Sequence, residues 1–132
     1  MKTPGQIEAL VGEIVNRFLQ TNVGRGASHV SVALRANAIY IHLRDVLTVC
    51  EHALVAAEVA GDDRCLRAVR EGRDLLVRRH RAELASALGV ACGCETAALF
   101  HDIDPVTGDE MIAATFTLGE GCPAPVRAVR SR

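Results

Sequence analysis

Four basic side chains are spaced so that they could gather into a cationic pocket. Arg25 stands between two glycines in Gly24-Arg25-Gly26, and Arg35, His42 and Arg44 fall on two consecutive segments of alternating polarity. Paired glycines can turn backbone N–H groups toward an anion, and a guanidinium can grip it with two hydrogen bonds. The same residues also suit a helix end and a solvated turn, so both readings stand at this level. Arg73 and His80 pose a different problem. On a continuous helix they project from the same side as Leu66, Val69, Leu76, Val77 and Leu84. An unpaired buried guanidinium is costly. Arg73 therefore needs an internal carboxylate, a second subunit or a ligand anion, unless its head reaches past the edge of the apolar stripe into water. His80 reads either as a buried polar or interface residue or as a satisfied core histidine.

Other chemistry is weakly signalled. His101-Asp102-Ile103-Asp104 offers metal-ligand types, but Val106 and Gly108 occupy the fifth and seventh positions, where an EF-hand loop places ligands. No metal or cofactor is expected. The cysteines at 50, 65, 92, 94 and 122 are odd in number and form no C-x-x-C, so neither a disulfide framework nor a zinc ribbon fits, and free thiols are expected. Cys92-Gly93-Cys94 would turn both thiols to one side only on a strand. There is no Gly-x-Ser-x-Gly, P-loop or dinucleotide fingerprint. Cys50 and His52 point apart on a helix. A small hydrolase or isomerase using His80 or His101 as base is the weaker enzymatic alternative.

Composition narrows the classes further. A chain of 132 residues with 49% hydrophobic and 23% charged residues has the makings of one folded domain. Fifteen basic against sixteen acidic residues give a net charge of −1. No overall field draws the chain to nucleic acid, and four aromatics are too few for base-stacking platforms. No apolar run is long enough to cross a bilayer, so a cytoplasmic protein is expected.

The elements that must position these residues are legible from period and punctuation. Thr3-Pro4-Gly5-Gln6 carries a capping box and a proline at the first helical position, followed by Ile7, Leu10, Val11, Ile14 and Phe18 at helical spacing. The period then falls to two, with Val30, Val32 and Leu34 followed by Ile39, Ile41 and Leu43, which predicts a β-hairpin. Thr48 and Glu51 form a second capping box. Helices are predicted near 4–21, 49–60 and 63–88, the last closed at Gly89. Strands near 91–101 and 110–118 form a second hairpin. The order α-β-β-α-α-β-β implies an α+β fold in which two hairpins make a four-stranded antiparallel sheet packed with three helices. Residues 1–118 form the domain, and 119–132 read as a flexible basic tail.

A set of short motifs in fixed order resembles a known family. They are Met1-Lys2-Thr3-Pro4-Gly5-Gln6-Ile7-Glu8, Gly24-Arg25-Gly26, Val46-Leu47-Thr48 with Glu51, Arg81-Ala82-Glu83-Leu84, His101-Asp102-Ile103-Asp104 and Thr107-Gly108-Asp109-Glu110. Together these resemble the MpsC family of small bacterial proteins. The resemblance implies a soluble accessory or binding module, without assigned catalysis. It also implies membrane partners in a sodium-translocating, membrane-potential-generating system, and a place peripheral to the inner face of the membrane. Relatives often carry Gly where this chain has Asp45, and Pro where it has Val49 and Ala82. An anion or small-molecule sensor using the cationic pocket is the alternative. A homodimer is expected as well, because the stripe from Leu66 to Leu88 would run about 34 Å on one rod, longer than a four-stranded sheet is wide.

Overall fold

The computed structural model describes residues 2–117. Four helices and four strands follow in the order α1 (Pro4–Asn22), β1 (His29–Arg35), β2 (Ala38–Arg44), α2 (Val49–Ala56), α3 (Arg64–Arg79), α4 (Arg81–Cys92), β3 (Glu95–Asp104) and β4 (Asp109–Thr117). The strands form one antiparallel sheet in the order β1-β2-β4-β3. The α+β class and the two-hairpin sheet are therefore as the sequence implies. The tail read for 119–132 lies outside the described residues, as does Cys122.

Both capping boxes close as the sequence suggests. The Thr3 hydroxyl accepts from the Gln6 N–H while the Gln6 side chain accepts from the Thr3 N–H, and Thr48 and Glu51 repeat the arrangement. Strand alternation fixes which face is buried. Leu34, Ile39, Ile41, Leu43, Leu99, Ile103, Ile112 and Phe116 lie on the covered face and join the core with Ile7, Val11 and Leu19 of α1 and Leu84 and Leu88 of α4. All four helices lie on that face or along its end.

The predicted single helix over 63–88 is two helices. His80 leaves helical geometry at φ −106°, ψ 16°, ending α3 and starting α4. A continuous rod from 64 to 92 would be about 44 Å long at 1.5 Å per residue. That is more than twice the ~19 Å width of four strands. The break lets α3 lie against α2 and β3 while α4 turns to pack on α1 and β3. It costs little, since His80 N–H still reaches the Leu76 carbonyl at 3.2 Å and Leu84 N–H reaches the His80 carbonyl at 3.0 Å. Leu84 and Leu88 are thereby buried within the same chain, and Leu76 is half-buried.

Gly89 also differs from its sequence reading. It lies inside α4, which ends at Gly93 in the left-handed region at φ +68°. A side chain at Gly89 would meet the Cys94 carbonyl oxygen at 2.7 Å, so this glycine permits close passage of the strand that follows. Cys92-Gly93-Cys94 is accordingly a helix end, and β3 begins at Glu95 instead of 91.

Beta-3 is an end strand, and side chains occupy three of its main-chain polar groups. Arg81 donates to the Leu99 carbonyl, and Arg70 donates to the Ile103 carbonyl at 3.3 Å. The Ile103 N–H donates to Asp102 Oδ1 at 2.8 Å.

Candidate functional site

Arg73 is brought to the buried face of the sheet by the Val69–Val77 stripe of α3, and only 1% of its surface is exposed. Its partners come from three other segments. Nε donates to Glu51 Oε2 at 2.7 Å, and Nη2 donates to Glu51 Oε1 at 2.9 Å. Nη1 donates to Glu110 Oε1 at 3.0 Å, while Nη2 also meets the Val46 carbonyl. Glu110 is equally buried, and its second oxygen, Oε2, is hydrogen-bonded to His101 Nε2. The result is a continuous chain, Thr48–Glu51–Arg73–Glu110–His101, buried at Arg73 and Glu110 and partly buried at its ends, joining the start of α2, the middle of α3, the start of β4 and the middle of β3.

Glu51 does two jobs in this chain. Its Oε1 accepts from the Thr48 N–H at 2.8 Å to complete the capping box, and it also accepts from Arg73. Burial pushes the Glu51 carboxyl up. Hydrogen bonds from Arg73 and Thr48, with the Arg73 charge, outweigh burial and hold the group below its ordinary value. The internal carboxylates thus supply what Arg73 needs. The guanidinium takes Glu51 in the two-pronged geometry that only arginine offers.

The other sequence-derived residues fall elsewhere. Arg25 lies 2.7 Å from Asp45, and His42 Nε2 lies 3.4 Å from Asp109. Arg44 lines a shallow groove with Ser28, His29, Asp45, Thr107 and Asp109. Arg35 stands at the opposite end of the first hairpin, since β1 and β2 run antiparallel with His29 opposite Arg44 and Arg35 opposite Ala38. Arg25, His42 and Arg44 are therefore gathered at one end of the sheet among carboxylates, and Arg35 is not with them. Gly24 takes φ +95° after α1, and Gly26 packs on the Asn16 side chain, whose Oδ1 accepts from the Ala27 N–H at 2.8 Å. His80 sits at the α3–α4 break with its ring edge-on to Phe18 at 5.8 Å, away from Arg73's partners.

A family model described as "Na+-translocating membrane potential-generating system (MpsC)" matches residues 3–118. The chain belongs to the MpsC family. No curated protein and no solved structure matches it.

In this MpsC chain four of the six motifs that carry the resemblance converge, the exceptions being those at the starts of α1 and α4. Arg25 pairs with Asp45, the Val46 N–H donates to the Gly108 carbonyl at 3.2 Å, and Val46 in turn accepts from Arg73. Glu51, His101 and Glu110 complete the cluster. Separate stretches of sequence thus describe one end of the sheet and the ionic chain beneath it. Glu110 and His101 as partners of Arg73 escape a reading of isolated motifs. The signal for them is the period of two: counting back from Ile112 puts Glu110 on the buried face, and His101 lies between Leu99 and Ile103. Chemically the cluster is closed. Arg73 and Glu110 are each 1% exposed, the His101 side chain 5% and that of Glu51 15%. Among the described residues no buried side-chain polar atom lacks a partner, and no group of three or more His, Cys, Asp or Glu could hold a metal ion.

Proposed function

We propose that this chain is a non-enzymatic accessory module of a sodium-translocating, membrane-potential-generating system, acting from the cytoplasmic side by docking to a membrane partner. Family membership supplies the system. The inward-facing ionic chain supports the non-enzymatic part of the reading: the best-placed acid, base and cation all serve one another. No described helix is long and apolar enough to cross a membrane, which is why a membrane-embedded partner is part of the reading. Asp45 and Asp109 beside Arg44 and His29 make the groove at the sheet end of mixed sign, which favours protein docking over capture of a free anion.

The test is genetic and electrical. Deleting the gene should lower the sodium-dependent part of the membrane potential, read with a potential-sensitive dye, and the wild-type gene should restore it. A folded His101→Gln variant, which keeps a hydrogen-bonding group toward Glu110, should restore it equally. An unchanged potential in the deletion strain would reject the role in this system. Failure of folded His101→Gln to restore would reject the non-enzymatic part.

A further inference from the structure

The helices cover one face of the sheet, and the other carries an ordered apolar row. Ala33 stands opposite Tyr40, Tyr40 opposite Ala113, and Ala113 opposite Phe100. Read from β1 to β3 the row is small, large, small, large. Tyr40, on a central strand, is 45% exposed, and Phe100, on the end strand β3, is 58% exposed. Charge on the same face is divided between its halves. Arg35 and Arg44 lie on the β1–β2 side, with His29 and His42, whereas Asp102, Asp104 and Asp109 lie on the β3–β4 side.

We propose that this face is a two-fold interface with a second copy of the same chain. Two in-plane axes could bring the faces together. An axis running across the strands would set β1 on the partner's β1, basic half on basic half. An axis parallel to the strands sets β1 over the partner's β3 and β2 over the partner's β4. Only the second matches the charges, and it also matches the sizes. Tyr40 then meets the partner's Ala113, Phe100 meets the partner's Ala33, and Arg44 approaches the partner's Asp109. Each contact occurs twice, as an isologous interface requires. Apolar residues at the centre with opposite charges at the rim is the usual anatomy of such contacts, and sheets stack face to face at about 10 Å. The occupant is thereby fixed by the pattern itself.

Sedimentation at micromolar concentration should give a mass near twice the 14.1 kDa of one chain. Ala113→Arg should return the mass to that of a monomer with its melting temperature preserved. Leu75→Arg, on the exposed flank of α3, should leave the dimer intact. The decisive arm uses charge in trans. Arg44→Asp and Asp109→Arg should each be monomeric alone, because each homodimer would hold two like-charged pairs. Mixed together they should form a heterodimer in which both pairs are opposite in sign. A monomeric wild type would overturn the proposal and leave the face to another protein or to residues 118–132. A dimer lost in Leu75→Arg or kept in Ala113→Arg would overturn it too, as would a mixture that stays monomeric.

Discussion

Asp45 takes φ +57°, in the left-handed region where a side chain is strained. Such a conformation costs an L-residue about 1–2 kcal/mol, with Asp and Asn at the low end. Its carboxylate recovers part of this through Arg25 at 2.7 Å, but both groups are substantially exposed, and exposed pairs contribute only about 0–1 kcal/mol. Glycine here removes the strain and loses the pair. Asp45→Gly should therefore raise the denaturant midpoint at unchanged slope, by an equivalent of about 0.5–1 kcal/mol. Asp45→Val should lower it. Glu51 offers a cleaner separation of charge from shape. Glu51→Gln keeps a capping-box residue but leaves Arg73 with one carboxylate. At pH 7 it should destabilise the fold by about 2–4 kcal/mol, since breaking a buried pair strands the remaining charge. The folded-state carboxyl titrates below its ordinary value, so the unfolded chain binds the proton more readily. The wild-type advantage is then complete above about pH 4.3 and shrinks as the pH falls through the folded value. Urea titrations of both proteins from neutral to acid pH should converge; curves that diverge on acidification would refute the pairing.

At the scale of elements, two glycines in helices have opposite meanings. Gly72 in α3 has open space where a side chain would go, whereas at Gly89 in α4 the Cys94 carbonyl is 2.7 Å away. Gly72→Ala should stabilise by about 0.8–1 kcal/mol, the difference in helix propensity. Gly89→Ala gains the same propensity but forces the strand backbone aside, and should destabilise by about 1–3 kcal/mol net. Thermal melts of the two variants must move in opposite directions. The same contrast explains what sequence could reveal. Capping boxes at Thr3 and Thr48 and the alternation of Val30 to Leu43 were readable because their causes lie within a few residues. The α3–α4 break was not, because no Gly or Pro marks His80 and its flanking hydrogen bonds survive. Gly89 looked like a helix end because its reason, contact with residues five and seven positions on, is tertiary. Arg73 stood out as an anomaly, yet Glu51 and Glu110 lie 22 and 37 residues away, beyond any local pattern.

For the whole molecule, Arg73 is the point where α2, α3 and both strands of the second hairpin are joined. Arg73→Met would fill similar volume but leave Glu51 and Glu110 facing each other without their cation. The expected loss is about 3–5 kcal/mol, a large share of the ~5–15 kcal/mol that holds a domain together. Because the cluster spans sequence-distant elements, amide exchange should accelerate in α2, α3, β3 and β4 together instead of at one site. Faster exchange confined to α3 would contradict this. The arginines on β3 have a consequence of another kind. A sheet can recruit strands from other molecules only through an edge with main-chain groups to spare. With Arg70, Arg81 and Asp102 occupying three groups of that edge, β1 is the freer edge for pairing of this kind. Pairing through β1 joins two molecules edge to edge and leaves the hindered strand of each outward. Growth into a fibre by continuous strand addition is hindered in this fold while the two arginines stay in place.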